Sequence, residues 1–181
     1  MNTSFKCTYL SLARPYGSAK YPMLSPTLAH DSHPLQFDVA KQPRTVINPQ
    51  VYSQTHGTPA FAYPVMHMRL ISKHFPWSID IVTQTPITCE AVWDAMHAAL
   101  QEHLADSEWG CIASDKRQKE TIEKAAEKRQ ESEPETRVKR IDWLGQNTVF
   151  KGLEKNEDFE KARLMPGSKP CPETWLIRLG N

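Results

Sequence analysis

Three residues that could bind or polarise a ligand meet in one short run, "RIDWLG": Arg140, Asp142 and Trp143. A guanidinium grips carboxylates and phosphates, an indole offers a stacking platform, and a carboxylate can move a proton. In a strand, residues two apart share a face, so Arg140 and Asp142 would sit together with Trp143 turned away. A carboxylate beside a guanidinium is held as the ion and makes a poor general acid. The simpler expectation is therefore structural. Arg140 and Asp142 pair with each other, with Arg129 or with nearby helix ends, and Trp143 enters the core. Ligand binding at Arg140 and Asp142 is the competing expectation.

Other constellations are weaker. Glu90, Asp94 and His97 fall at i, i+4 and i+7 and share one helical face. Asp94 and His97 have the carboxylate–imidazole spacing of helical metal sites, but no second helix offers matching ligands. This is the polar face opposite Val92, Met96 and Leu100, so a solvated surface is expected and no metal site. The four cysteines, Cys7, Cys89, Cys111 and Cys171, are scattered without a CxxC pair or zinc-ligand spacing. GxSxG, P-loop and GxGxxG motifs do not occur, so neither a catalytic motif nor a cofactor is indicated. Of the five tryptophans, Trp109 lies in the Ser107–Gly110 connection. It is the candidate for an exposed aromatic able to stack on a ligand.

These residues must be positioned by elements that the hydrophobic periods outline. Residues 1–32 are rich in Ser, Thr, Tyr and Pro without a sustained period and read as a disordered arm. The domain, 33–181, opens with a short strand, Leu35 to Val39, and a Pro/Gly-containing loop over 43–60. "VMHMRLIS" and "SIDIVT" alternate as two strands, with Met66, Met68, Leu70, Ile79 and Ile81 inward. Their closeness in sequence predicts an antiparallel pair. Thr88 caps a helix over 88–104, with Glu90 in its positive first turn. Asp115 and Gln118 resemble a capping box for a second helix that ends before Pro134. "TRVKRIDWLGQNTVFKGL" reads as two β runs around a Gly-Gln-Asn turn, and "ETWLIRLG" as a closing strand. The order predicts an α+β fold: a mainly antiparallel sheet of about five to six strands with two helices packed on one face.

Composition narrows the function classes. A net charge of +1 gives no global attraction for nucleic acid or anionic lipid. From Asp115 to Arg140 there are nine basic and seven acidic residues, interleaved, with Glu120 four before Lys124. That pattern predicts a solvated helix, not a nucleic-acid helix. No stretch approaches the roughly 20 apolar residues of a membrane span. The even cysteine count permits disulfides, but a domain this large does not need them, and a reducing, intracellular setting is expected. The acid-poor arm, with Lys6, Arg14 and Lys20, has the composition of a mitochondrial presequence. Pro15 and Pro22 interrupt the amphipathic helix such a sequence needs, so a cytoplasmic location is expected.

The ordered set "HPL", "PWSIDI", "ITCEAVWDAMHAAL", "EKAAEKR", "RIDWLG", "TVFKGL" and "TWLIRL" resembles an uncharacterised domain family abundant in mushroom-forming fungi. The family is catalogued only as a domain of unknown function. The resemblance covers about His33 to Leu179 and implies no substrate, cofactor or catalytic residue. One departure is that Ala91 follows Glu90 where a further acidic residue is expected after the cap. The leading expectation is a non-enzymatic interaction or scaffold module with a protein partner. The alternative is an enzyme or small-ligand binder whose pocket lies between the sheet and helix 88–104.

Overall fold

Proline and asparagine set the first helices, where the sequence pattern suggested only loop. In the computed structural model, residues 16–32, 35–112, 114–164, 167 and 169–181 are described. After β1 (Phe37–Asp38), helix α1 spans Pro43–Val46 and α2 spans Pro49–Thr55. Each begins with proline, whose missing N–H costs nothing in a first turn. Asn48 caps α2, its side chain accepting from the Gln50 and Val51 N–H groups. Strands β2 (His67–Ser72) and β3 (Ile79–Val82) follow, then α3 (Cys89–Gln101), α4 (Asp106–Cys111) and α5 (Lys116–Gln130). A 3-10 segment (Arg140–Leu144) leads into β4 (Val149–Glu154), α6 (Glu157–Arg163) and β5 (Thr174–Gly180).

The described residues thus hold one five-stranded sheet, in the order β1-β4-β5-β2-β3, and six helices rather than two. The expected antiparallel β2–β3 pair forms, with Met68 opposite Ile81 and Leu70 opposite Ile79. The sheet is mixed, because the last strand enters between β4 and β2 and runs parallel to β2. Composition explains that central place. In β5 every residue but Arg178 is buried, and a strand covered on both faces belongs in a sheet's middle. Gly152, at φ 99°, lies where the β4–β5 register slips between Phe150 and Leu153.

Helix α3 starts where expected, with the Thr88 side chain accepting from the Ala91 N–H, and lays Val92, Trp93, Met96 and Leu100 into the core. They meet Met68, Leu70, Ile79 and Ile81 from β2 and β3, and Phe150, Ile177 and Leu179 from β4 and β5. Met66 departs from the predicted inward set and is half-exposed ahead of β2.

The expected arm requires a correction. Residues 1–15, with Cys7, lie outside the described part, but 16–32 belong to the core. Leu24, Leu28 and Ala29 have no exposed surface. Backbone bonds fasten the segment at both ends: Ser25 N to Ala60 O at 2.8 Å, and His30 N to Leu153 O at 2.9 Å. Tyr21 packs edge-on against Trp175 at 5.3 Å. The segment is ordered by tertiary partners that its own local period does not announce.

Candidate functional site

Helix α5 has little apolar surface and is held by polar anchors instead. Asp115 accepts from the Gln118 N–H at 3.0 Å, as a cap should. The Gln118 side chain does not complete the box; it donates to the Trp143 carbonyl at 2.9 Å. Ile122 and Ala126 are buried, and the next inward position is Arg129.

Arg129 meets Asp142, which is 2% exposed. Arg129 Nε donates to Oδ1 at 2.9 Å and Nη2 to Oδ2 at 2.8 Å, a bidentate pair. The Lys139 N–H also donates to Oδ2, at 2.9 Å. Arg129 further donates to the carbonyls of Glu135 and Arg137, at 3.1 and 2.8 Å. Glu133 closes the cluster, 2.9 Å from Lys139 Nζ and 3.4 Å from Arg129 Nη1. Donation to the Asp142 carboxylate raises the Arg129 pKa, and the hydrogen bond from Lys139 leads in holding the Glu133 carboxyl below its ordinary range.

"RIDWLG" is therefore not a strand. Ile141, Asp142, Trp143 and Leu144 are all buried, which a one-sided strand does not allow. In a 3-10 segment, two residues subtend about 240°, so Arg140 and Asp142 diverge instead of sharing a face. Asp142 goes to Arg129, while Arg140 goes to Glu108 at 2.8 Å and to Glu102. The Arg140 guanidinium also lies over the Trp77 ring at 5.0 Å, and Trp77 meets Trp143 edge-on at 5.5 Å. Both charged residues have protein partners and Trp143 is buried, as the structural expectation required. An unpaired Arg140 at the mouth of a concavity is not what the fold presents.

Gly145 ends the 3-10 segment at φ 56°, and a Cβ there would stand 2.7 Å from Thr121 Cγ2. This close approach lays residues 145–148 against α5 and forms one side of a groove of about 950 Å³. Besides Arg129, which is bound within the cluster, four cations line it: Lys41, Arg117, Lys124 and Lys128. None has an ion-pair partner among the described residues; the expected Glu120–Lys124 pair is not made. The groove's two acids, Glu133 and Asp142, are already bound within the cluster. Charges that interleave in sequence separate on the helix. Arg117, Lys124 and Lys128 fall within about 40° of one another, and Glu120, Glu123 and Glu127 lie about a quarter turn round. Trp109, the expected exposed aromatic, is half-buried against the core and takes no part in the groove.

The other constellations are placed as follows. The α3 face carrying Glu90 and His97 is partly covered by α2 and the turn after β1, not fully solvated. Tyr52 donates to Glu90, and His97 Nδ1 lies 3.2 Å from the Val39 carbonyl. The bond to Glu90 pushes the Tyr52 phenol up to about 12, and burial raises the Asp94 carboxyl. The alternative pocket between the sheet and helix 88–104 is filled: Val92, Trp93, Met96 and Leu100 are at most 2% exposed. Cys89, Cys111 and Cys171 are free thiols.

Fold and site together define a mixed-sheet α+β domain in which a closed ion cluster adjoins an open basic groove. The chain belongs to the DUF6699 family of unknown function, whose model matches residues 35–159. That span takes in β1 to β4, the ion cluster and the groove, and leaves β5 outside. No curated protein and no solved structure matches the chain.

Proposed function

We propose that this domain is a non-enzymatic interaction module of the fungal cytoplasm that takes an acidic, extended segment of a partner protein into the α5 groove. The observation that carries this is the row of cations without ion-pair partners among the described residues, Lys41, Arg117, Lys124 and Lys128, on a groove whose own carboxylates are bound within the cluster. Arg117 to Lys128 spans about 16 Å of helix, the reach of roughly five extended residues. A protein segment is favoured over nucleic acid by the acidic stripe of Glu120, Glu123 and Glu127 beside the cations. A narrow chain can lie along one face, whereas a wide polyanion would meet both. A cytoplasmic setting agrees with the absence, among the described residues, of any helix long and apolar enough to cross a membrane.

Fluorescence anisotropy with a labelled Asp/Glu-rich peptide tests this. Saturable binding is expected, weakening steeply with salt, with no binding of a Lys-rich peptide. Absence of saturable binding would overturn the reading, as would tighter binding of a single-stranded oligonucleotide.

A further inference from the structure

A second cavity, of about 430 Å³, opens between the 76–78 turn, β2, β5 and α6. Its size lies within the range of small-molecule sites, which are mostly apolar with a few placed polar groups. Ile71 and Cys171 line it and are both buried, and Trp77 adds an aromatic wall. Against this lining stand two guanidinium groups and one carboxylate: Arg69, Arg163 and Glu160.

Arg163 is the unusual member. Its Nη2 donates to the carbonyls of Phe75, Pro76 and Trp77, at 3.3 Å to Phe75 and 3.2 Å to Trp77. Those contacts fix the plane of the guanidinium without neutralising it. No carboxylate lies within ion-pair distance of it among the described residues, and its Nε and Nη1 N–H groups have no partner there. Burial without a counter-ion pushes the Arg163 pKa down. Arg69 uses Nε on Asp80 at 2.9 Å and keeps both terminal nitrogens without a partner among the described residues. Arg69 thus presents an open Nη1–Nη2 fork anchored through Nε, and Arg163 adds a rigidly held guanidinium whose Nη1 has no partner among the described residues; together they are preorganised for a carboxylate. Glu160, three residues before Arg163 on α6 and without an ion-pair partner among the described residues, repels a second negative charge and would accept an ammonium.

We infer that this cavity binds a small organic monocarboxylate with an apolar body. The carboxylate lies in the Arg69 Nη1–Nη2 fork with Arg163 Nη1 as a further donor, the apolar body rests against Ile71, Trp77 and Cys171, and any amino group turns toward Glu160. The site is separate from the groove, and the inference does not depend on the groove's partner.

Isothermal titration of the full chain with 3-phenylpropionate, phenylalanine, 2-phenylethylamine and inorganic phosphate tests it. Both carboxylates should bind saturably, and the amine alone and phosphate should not. Tighter binding of phenylalanine than of 3-phenylpropionate would place an amine at Glu160; the reverse order would leave the carboxylate as the recognised group. Arg163→Met should weaken binding at least tenfold. Because Arg163 also ties down the 75–77 turn, Ser78→Trp serves as a second variant, filling the mouth from an exposed position and likewise abolishing binding. Lys124→Ala should bind as the unaltered protein does. The inference is overturned by no saturable binding of either carboxylate up to about 10 mM. Equal binding of phosphate would also overturn it, as would undiminished binding in both Arg163→Met and Ser78→Trp.

Discussion

Two faces of α5 use the same residue types to opposite ends. On the inner face Arg129 is 10% exposed and meets a fully engaged Asp142, so its charge is consumed in joining the helix to the 3-10 segment. On the groove face Arg117, Lys124 and Lys128 are exposed, and no carboxylate among the described residues answers them. An ion pair removed from water fixes geometry, because losing either partner strands the other. A row of solvated cations fixes nothing and leaves its field for something outside the chain. The identity of a charged residue therefore says little about its role until its neighbours are known.

This contrast can be broken by substitution. The largest effect belongs to Asp142→Ala, which leaves Arg129 buried without its carboxylate and should cost about 3–5 kcal/mol in urea unfolding. With Arg129→Ala and the double mutant, the cycle should show strong coupling; additive costs would mean the cluster is not one unit. Arg140→Ala comes next, at about 1–3 kcal/mol, since it removes charge-assisted bonds to Glu108 and Glu102 and a cation–π contact, while the buried Glu108 keeps the Ala105 N–H as a partner. A smaller effect concerns pH. The folded Glu133 carboxyl is held below its unfolded value, so the stability it adds is present above the ordinary glutamate range and is lost as pH falls through the depressed value. Glu133 is 41% exposed, so screening limits this to less than about 1 kcal/mol, and Glu133→Gln should flatten the acid limb of stability against pH. The smallest effect is Lys124→Ala, within about 0.5 kcal/mol; a larger loss would show that the groove face is structural too.

Where one period governed a stretch, the sequence was readable: alternation marked β2, β3 and β5, and the 3.6-residue repeat with Thr88 marked α3. Three failures have distinct physical origins. "RIDWLG" alternates polar and apolar only over its first four residues, and burial of Ile141 through Leu144 follows a three-residue turn. The 16–32 segment carries Tyr21, Leu24 and Leu28 at i, i+3 and i+7, a signal diluted by Pro22 and Pro26. The prolines of the 43–60 stretch give it the pattern of a loop, although Asn48-Pro49 is a helix start. The structural role of Arg140 and Asp142 was legible, including Arg129 as a partner, but not who pairs with whom. The groove is hidden in a count of charges along the chain, where the signs interleave; the i, i+7, i+11 spacing of Arg117, Lys124 and Lys128 is the signal that shows one basic face.

The central claim is that α5 holds the fold with one face and binds with the other. Its most direct test is a paired measurement on the triple variant Arg117→Ala, Lys124→Ala, Lys128→Ala: the urea unfolding midpoint and the affinity for the acidic peptide, on the same preparation. The account predicts an unchanged midpoint and at least a tenfold loss of affinity, about 1.4 kcal/mol. An affinity equal to that of the unaltered protein would contradict it, and so would a loss of binding that appears only together with a collapsed midpoint.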